Sequence, residues 1–145
     1  IVDPKEHASH YEGAWLVKPN EKEFQEYFLN WHGNIITTRA GKSVVAKIDN
    51  EVYEVDVDTV EVSDVTGAGD CFLAAFVYAL TKDYNYKKAI ELAVQGSTES
   101  VKHVGTYILT EKDLKKQVEQ VPLYHNQKAL DAKKKKSIKK WFNGQ

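Results

Sequence analysis

Asp64-Val65-Thr66-Gly67-Ala68-Gly69-Asp70-Cys71, followed by the apolar run Phe72-Leu73-Ala74-Ala75-Phe76-Val77-Tyr78-Ala79-Leu80, decides how this 145-residue chain is read. Two glycines flank an alanine, so the backbone can turn tightly and a ligand can touch it closely. The run behind the turn predicts a buried helix over 72–80. The first N–H groups of such a helix lack partners within it, and together with the helix dipole they favour an anion, typically a phosphate. Asp70 falls in the first helical turn. A carboxylate there repels a phosphate rather than binding it, and is suited to take a proton from an attacking hydroxyl. The plain alternative is a tight turn with a helix cap and no ligand.

Working outward, composition sets bounds. Apolar residues make up 42% of the chain and charged residues 28%, with a net charge of -1, which predicts neither a nucleic-acid binder nor a membrane-surface protein. The single cysteine, Cys71, excludes an internal disulfide framework and fits a reducing, cytoplasmic setting; it reads as a small buried residue at a helix start. No apolar run reaches transmembrane length, and no signal-peptide pattern is present. The chain holds no methionine and opens on Ile1-Val2-Asp3-Pro4, which reads as the end of a buried strand begun earlier.

Upstream of the glycine turn, residues 1–3 read as a strand stopped by Pro4, and residues 14–18 as a short strand ended by Pro19. His7 and His10 read as solvated residues, because no ligand set at metal spacing accompanies them. Asn20 suits an N-cap and Glu23 the N3 position of a capping box, and Phe24, Tyr27, Phe28 and Trp31 give the helix that follows one apolar face. Residues 34–38 read as a buried strand. Residues 43–48 and 52–57 read as two strands joined at Asp49-Asn50, a hairpin turn. Arg39 reads either as a phosphate contact or as an exposed arginine without a role. Asp56, Asp58 and Glu61 read as a solvated acidic loop.

Downstream, residues 86–101 predict a second helix, with Ala89, Leu92, Ala93, Gly96 and Ser100 as its small or apolar face. Thr110 caps a third helix, with Asp113 near N3. From Pro122 the character changes to a basic tail, with Lys133-Lys134-Lys135-Lys136, Lys139 and Lys140 closed by Trp141-Phe142. It reads as a solvated or frayed terminal helix rather than a nucleic-acid binder.

The stretch from Asp64 through the helix resembles the second signature of the ribokinase-like (PfkB) carbohydrate kinases. The resemblance runs from about Asp3 to about Leu114 and includes Pro-Asn-x-x-Glu at 19–23. It implies that Asp70 is the catalytic base and that the amides of Gly67, Ala68 and Gly69 form an anion hole. It implies that Asn20 and Glu23 help place Mg2+ and the ATP phosphates through water, with Lys18 and Lys22 flanking them as further nucleotide contacts. Thr38 through Gly41 matches the turn over the nucleotide, although Ala40 stands where the family has glycine. Asp64 and Thr66 match positions that hold K+ in potassium-activated members.

Asp-Pro-Lys, Tyr-x-Gly-Ala and Pro-Asn-x-x-Glu together are most similar to the D-glycero-D-manno-heptose 7-phosphate kinase domain of ADP-heptose synthases. The implied activity is ATP-dependent phosphorylation of that sugar-phosphate. The alternative is a catalytically inactive remnant that binds nucleotide or a partner. The expected fold is α/β, the C-terminal portion only of a three-layer Rossmann-like ribokinase fold. Residues 1–121 would form the nucleotide-binding part and residues 122–145 the tail. Only fifteen residues separate Glu23 from Arg39, so a helix there is shortened or missing. A half sheet would leave an apolar edge, which predicts a homodimer or a further N-terminal portion.

Overall fold

The computed structural model describes residues 1–120 and 130–144, with the side chain of Gln120 left aside. The sequence boundary at Pro122 lies outside the described residues. The chain divides into two compact units, the first from Ile1–Asp56 with the described part of Asn126–Gln145, the second from the described part of Val57–His125.

The first unit is built on a four-stranded sheet in the order β1 (Leu16–Val17), β2 (Asn34–Arg39), β3 (Ser43–Ile48), β4 (Glu51–Asp56). β1 and β2 are parallel, with Val17 opposite Ile35, and the other two pairings are antiparallel. Asp49 and Asn50 both take positive φ, 51° and 66°, the backbone a two-residue hairpin needs and one that Asp and Asn tolerate. The strand expected over 1–3 is reduced to one parallel bridge between Val2 and Val17. Ile1 and Trp15 near this edge are each 43% exposed.

Between β1 and β2 the chain forms α1 (Glu21–Glu23), which widens at once into a π-helical turn, Phe24–Phe28. The single apolar face expected through Trp31 is therefore cut short. The wider turn still buries Phe24 and Phe28, while Trp31 leaves the helix, its N–H on the Phe28 carbonyl and its indole on the Asn34 carbonyl.

The basic tail is neither frayed nor fully solvated where it is described. Asp131 caps α5 (Ala132–Phe142), and Ile138 and Phe142 are buried with Val17, Phe24, Phe28, Ile35, Val45 and Val52. Trp141 stacks on Phe24 with centroids 4.5 Å apart and an interplanar angle of 15°. Lys134 and Lys135 pair with Glu54 and Glu51 of β4. The reason is spacing: Ile138, Trp141 and Phe142 fall on one side of the helix, and the short α1 leaves apolar surface for them to cover.

The second unit is helical: α2 (Ala68–Thr81), α3 (Tyr86–Ser100) and α4 (Glu111–Gln120). α2 and α3 pack through small residues. A Cβ on Gly96 would lie 3.0 Å from the Ala75 Cβ, so only glycine lets the two helices approach this closely. The helix start falls at Ala68, four residues ahead of the apolar run, so Asp70 lies inside the helix. Thr110 and Asp113 form the expected reciprocal cap of α4. Among the described residues no helix is long and apolar enough to cross a membrane.

Candidate active site

In the second unit the turn before α2 is held by its own carboxylate. Asp64 Oδ1 accepts the Thr66 N–H at 2.9 Å and the Thr66 hydroxyl at 2.7 Å, and Oδ2 accepts the Gly105 N–H at 2.9 Å. These donors, the Thr66 hydroxyl first, hold the Asp64 carboxyl below the usual aspartate range. Gly67 takes φ 77°, a left-handed turn that a Cβ would strain, and the Cys71 N–H returns to its carbonyl.

The Ala68 N–H is directed to the Val65 carbonyl at 3.2 Å. No backbone acceptor among the described residues takes the N–H groups of Gly69 and Asp70, which lie in the first turn of α2. Asp70 is exposed, with no hydrogen bond or ion pair among the described residues. An open carboxylate beside donor N–H groups can accept a proton from a hydroxyl brought to it. Cys71, next in sequence, is buried with its thiol on the Tyr107 carbonyl, and burial pushes that thiol up, so it is a core group rather than a nucleophile.

Asp64 also bears on a monovalent cation. A carboxylate offers about four acceptor positions, and three are taken, two by Thr66 and one by the distant Gly105 N–H. A cation here would rely mainly on carbonyl oxygens and the Thr66 lone pairs.

In the first unit, Asn20 and Glu23 form the capping box in full. Asn20 Oδ1 accepts the Glu23 N–H and Glu23 Oε2 accepts the Asn20 N–H, both at 2.8 Å. The bond to Oδ1 fixes the amide, so Asn20 Nδ2 faces outward as a donor. Glu23 Oε1 has no partner among the described residues. This pair suits one donor to a phosphate oxygen and one acceptor for a metal-bound water. No group of three or more His, Cys, Asp or Glu side chains among the described residues could hold a metal by itself. Mg2+, which keeps several waters and leans on phosphate oxygens, fits such a sparse protein contribution.

The other expected contacts divide. Thr38 is brought to this site: its N–H meets the Pro19 carbonyl, and Asn20 and Thr38 form a parallel bridge. Gly41 has φ 73° with open space around it, and Lys42 beside it pairs with Glu21 at 3.7 Å. Lys22 is exposed. Lys18 is not on the surface; its side chain is 5% exposed and pairs with Asp3 at 3.5 Å. Arg39 has a role the sequence did not disclose. It pairs with Glu54 at 3.2 Å, donates to the Ser43 hydroxyl, and lies over the Trp141 ring. The ion pairs of Asp3 and Glu54 were not legible because their partners lie far away in sequence. Asp3 did carry a signal, as a residue at the carboxyl end of a parallel segment, where open α/β sheets bind ligands.

Residues 2–113 match the pfkB family carbohydrate kinase description. The chain belongs to the pfkB family of carbohydrate kinases. It is similar to bifunctional protein HldE of Azorhizobium caulinodans, 30% identical over 139 residues that cover 82% of this chain and 29% of that protein. HldE of Nitratiruptor sp. is 32% identical over 133 residues, covering 79% and 29%. Among solved structures, ribokinase of Thermotoga maritima shares 26% identity at a TM-score of 0.63, over 72% of this chain and 42% of that one. The chain thus spans under a third of the curated relatives and under half of the matched structure, and its mixed α/β architecture is that of part of a ribokinase-fold kinase.

Proposed function

We propose that this chain supplies the nucleotide-binding and catalytic-base portion of an ATP-dependent kinase acting on a sugar or sugar-phosphate hydroxyl. The observation that carries the reading is Asp70, an exposed carboxylate in the first turn of α2 behind the left-handed Gly67. In this reading Asp70 takes the proton of the sugar hydroxyl as that oxygen attacks the γ-phosphate of ATP. The Gly69 and Asp70 amides, with Gly67 and Ala68 shaping the turn, receive the negative charge of the transferred group. Asn20 Nδ2 and Lys22 meet phosphate oxygens, and Thr38 and Gly41 border the nucleotide. Mg2+ would be held by phosphate and water oxygens near Glu23, neutralising charge as the phosphoryl group moves. K+ near Asp64 and Thr66 would accompany the glycine turn that carries Asp70. A cytoplasmic location, where ATP is abundant, accords with this reading.

The acceptor we propose is D-glycero-D-manno-heptose 7-phosphate, as a step toward ADP-heptose. The resemblance of Asp3-Pro4-Lys5, Tyr11-x-Gly13-Ala14 and Pro19-Asn20-x-x-Glu23 to heptose 7-phosphate kinases supports it, alongside similarity to proteins named HldE. The test is phosphate transfer from ATP, followed by phosphorus NMR, with heptose 7-phosphate, ribose and fructose 6-phosphate as separate acceptors. A new phosphoryl resonance with heptose 7-phosphate alone supports the assignment. Transfer to another acceptor keeps the kinase and removes the heptose. Nucleotide binding without transfer to any acceptor favours the inactive-remnant reading.

A further inference from the structure

Asp3 and Lys18 join the ends of two neighbouring parallel segments. The Val2 N–H donates to the Leu16 carbonyl and the Lys18 N–H to the Val2 carbonyl. Asp3 therefore follows one segment directly and Lys18 follows β1 directly, at the carboxyl end of both. Lys18 Nζ lies 3.5 Å from Asp3 Oδ1, with the lysine side chain 5% exposed and the aspartate 24%. The exposed Lys5 reaches the other Asp3 oxygen at 3.4 Å. Burying an ammonium is costly unless a carboxylate accompanies it, and removing one partner of such a pair costs more than replacing both. An ammonium covered in this way is poorly placed to meet a phosphate arriving from solvent. The chain that continues from it does meet the site: Pro19 accepts the Thr38 N–H, and Asn20 opens the capping box with Glu23.

We propose that Asp3 is a positioning residue. Through its ion pair with Lys18 it fixes the Lys18-Pro19-Asn20 strap, and so sets the aim of Asn20 Nδ2 and Glu23 Oε1 toward a magnesium-bound nucleoside triphosphate. This rests on the nucleotide reading above and gives Lys18 a supporting role in place of a phosphate contact. Without the Asp3 charge, the buried Lys18 ammonium loses the carboxylate that holds it at this end of β1, which loosens the strap.

The test is calorimetric titration of ATP at several Mg2+ concentrations on the wild-type protein, Asp3→Asn, Asp3→Glu, Lys18→Met and the Asp3→Asn/Lys18→Met double variant, with circular dichroism melts of each. Positioning predicts that Asp3→Asn and Lys18→Met weaken Mg2+-dependent ATP binding alike, on the order of tenfold. The double variant is no worse than either single one, and Asp3→Glu restores the affinity. ATP binding without Mg2+ falls less, because only the Asn20 Nδ2 contact is then lost and the water held by Glu23 plays no part. The double variant buries no charge, so it carries the test even where a single variant unfolds. Wild-type affinity in Asp3→Asn or in the double variant overturns the proposal. A loss confined to Lys18→Met overturns it too, making Lys18 a direct contact. A wild-type protein with no Mg2+-dependent ATP binding removes the nucleotide reading itself, an outcome distinct from an indifferent Asp3.

Discussion

The Asp64 carboxylate accepts the backbone N–H of Gly105 at 2.9 Å, across 41 residues of chain. This bond and the two from Thr66 tie the start of the glycine turn to the segment that follows α3. Because these donors depress the Asp64 pKa in the folded state, the ionised form favours folding. The contribution is complete above the ordinary aspartate range, near pH 4, and is lost as pH falls through the depressed folded value. Urea midpoints measured from pH 7 down to pH 2 should therefore fall less steeply for Asp64→Asn than for wild type. Parallel curves would show that Asp64 contributes nothing to acid sensitivity.

Trp141 should matter to stability even though it lies in a lysine-rich helix. It stacks on Phe24 and covers Arg39, which in turn pairs with Glu54. Trp141→Ala should cost about 2 kcal/mol in urea unfolding, since a half-buried indole and one aromatic pair are lost together. Trp141→Phe keeps the stack and should cost under about 1.5 kcal/mol.

Asp70 should behave in the opposite way. It is exposed and has no described partner, so Asp70→Asn should leave the melting temperature unchanged. In an ADP-release assay the same variant should lose turnover by roughly 10²–10⁴-fold, with KM for ATP little moved. A variant with full turnover would remove the general-base assignment.

The two roles of Asn20 can be separated by chemistry. Asn20→Ala removes the cap and should cost about 1 kcal/mol. Asn20→Asp keeps the Oδ1 acceptor and the cap, so stability should be retained. It exchanges the outward Nδ2 donor for a carboxylate oxygen, so affinity for ATP should fall. Melts and ATP titrations on both variants check this; equal ATP affinity in Asn20→Asp and wild type would exclude a phosphate contact at Nδ2.

Local features were legible because neighbouring residues generate them. The Asn20–Glu23 box, the Thr110–Asp113 cap and the Asp49-Asn50 hairpin all close within four residues, so the residue types alone specify the hydrogen bonds. The left-handed Gly67 followed by a helix bearing Asp70 was legible for the same reason. The helix from Asn20 was read as longer and more regular than it is. Periodicity reports an apolar face, but not how few residues the chain has in which to reach β2.

By itself, then, the sequence determined the α/β character, the glycine turn with its aspartate, and the caps that start the helices, because short-range sterics and hydrogen bonding decide these. Only the tertiary structure decided that a run of lysines docks on the sheet, that Arg39 serves that docking, and that Lys18 is buried against Asp3. Burial depends on which surfaces meet. Ile138, Trp141 and Phe142 become core only because Phe24, Val45 and Val52 lie opposite them, and an ammonium becomes internal only where a distant carboxylate stands beside it.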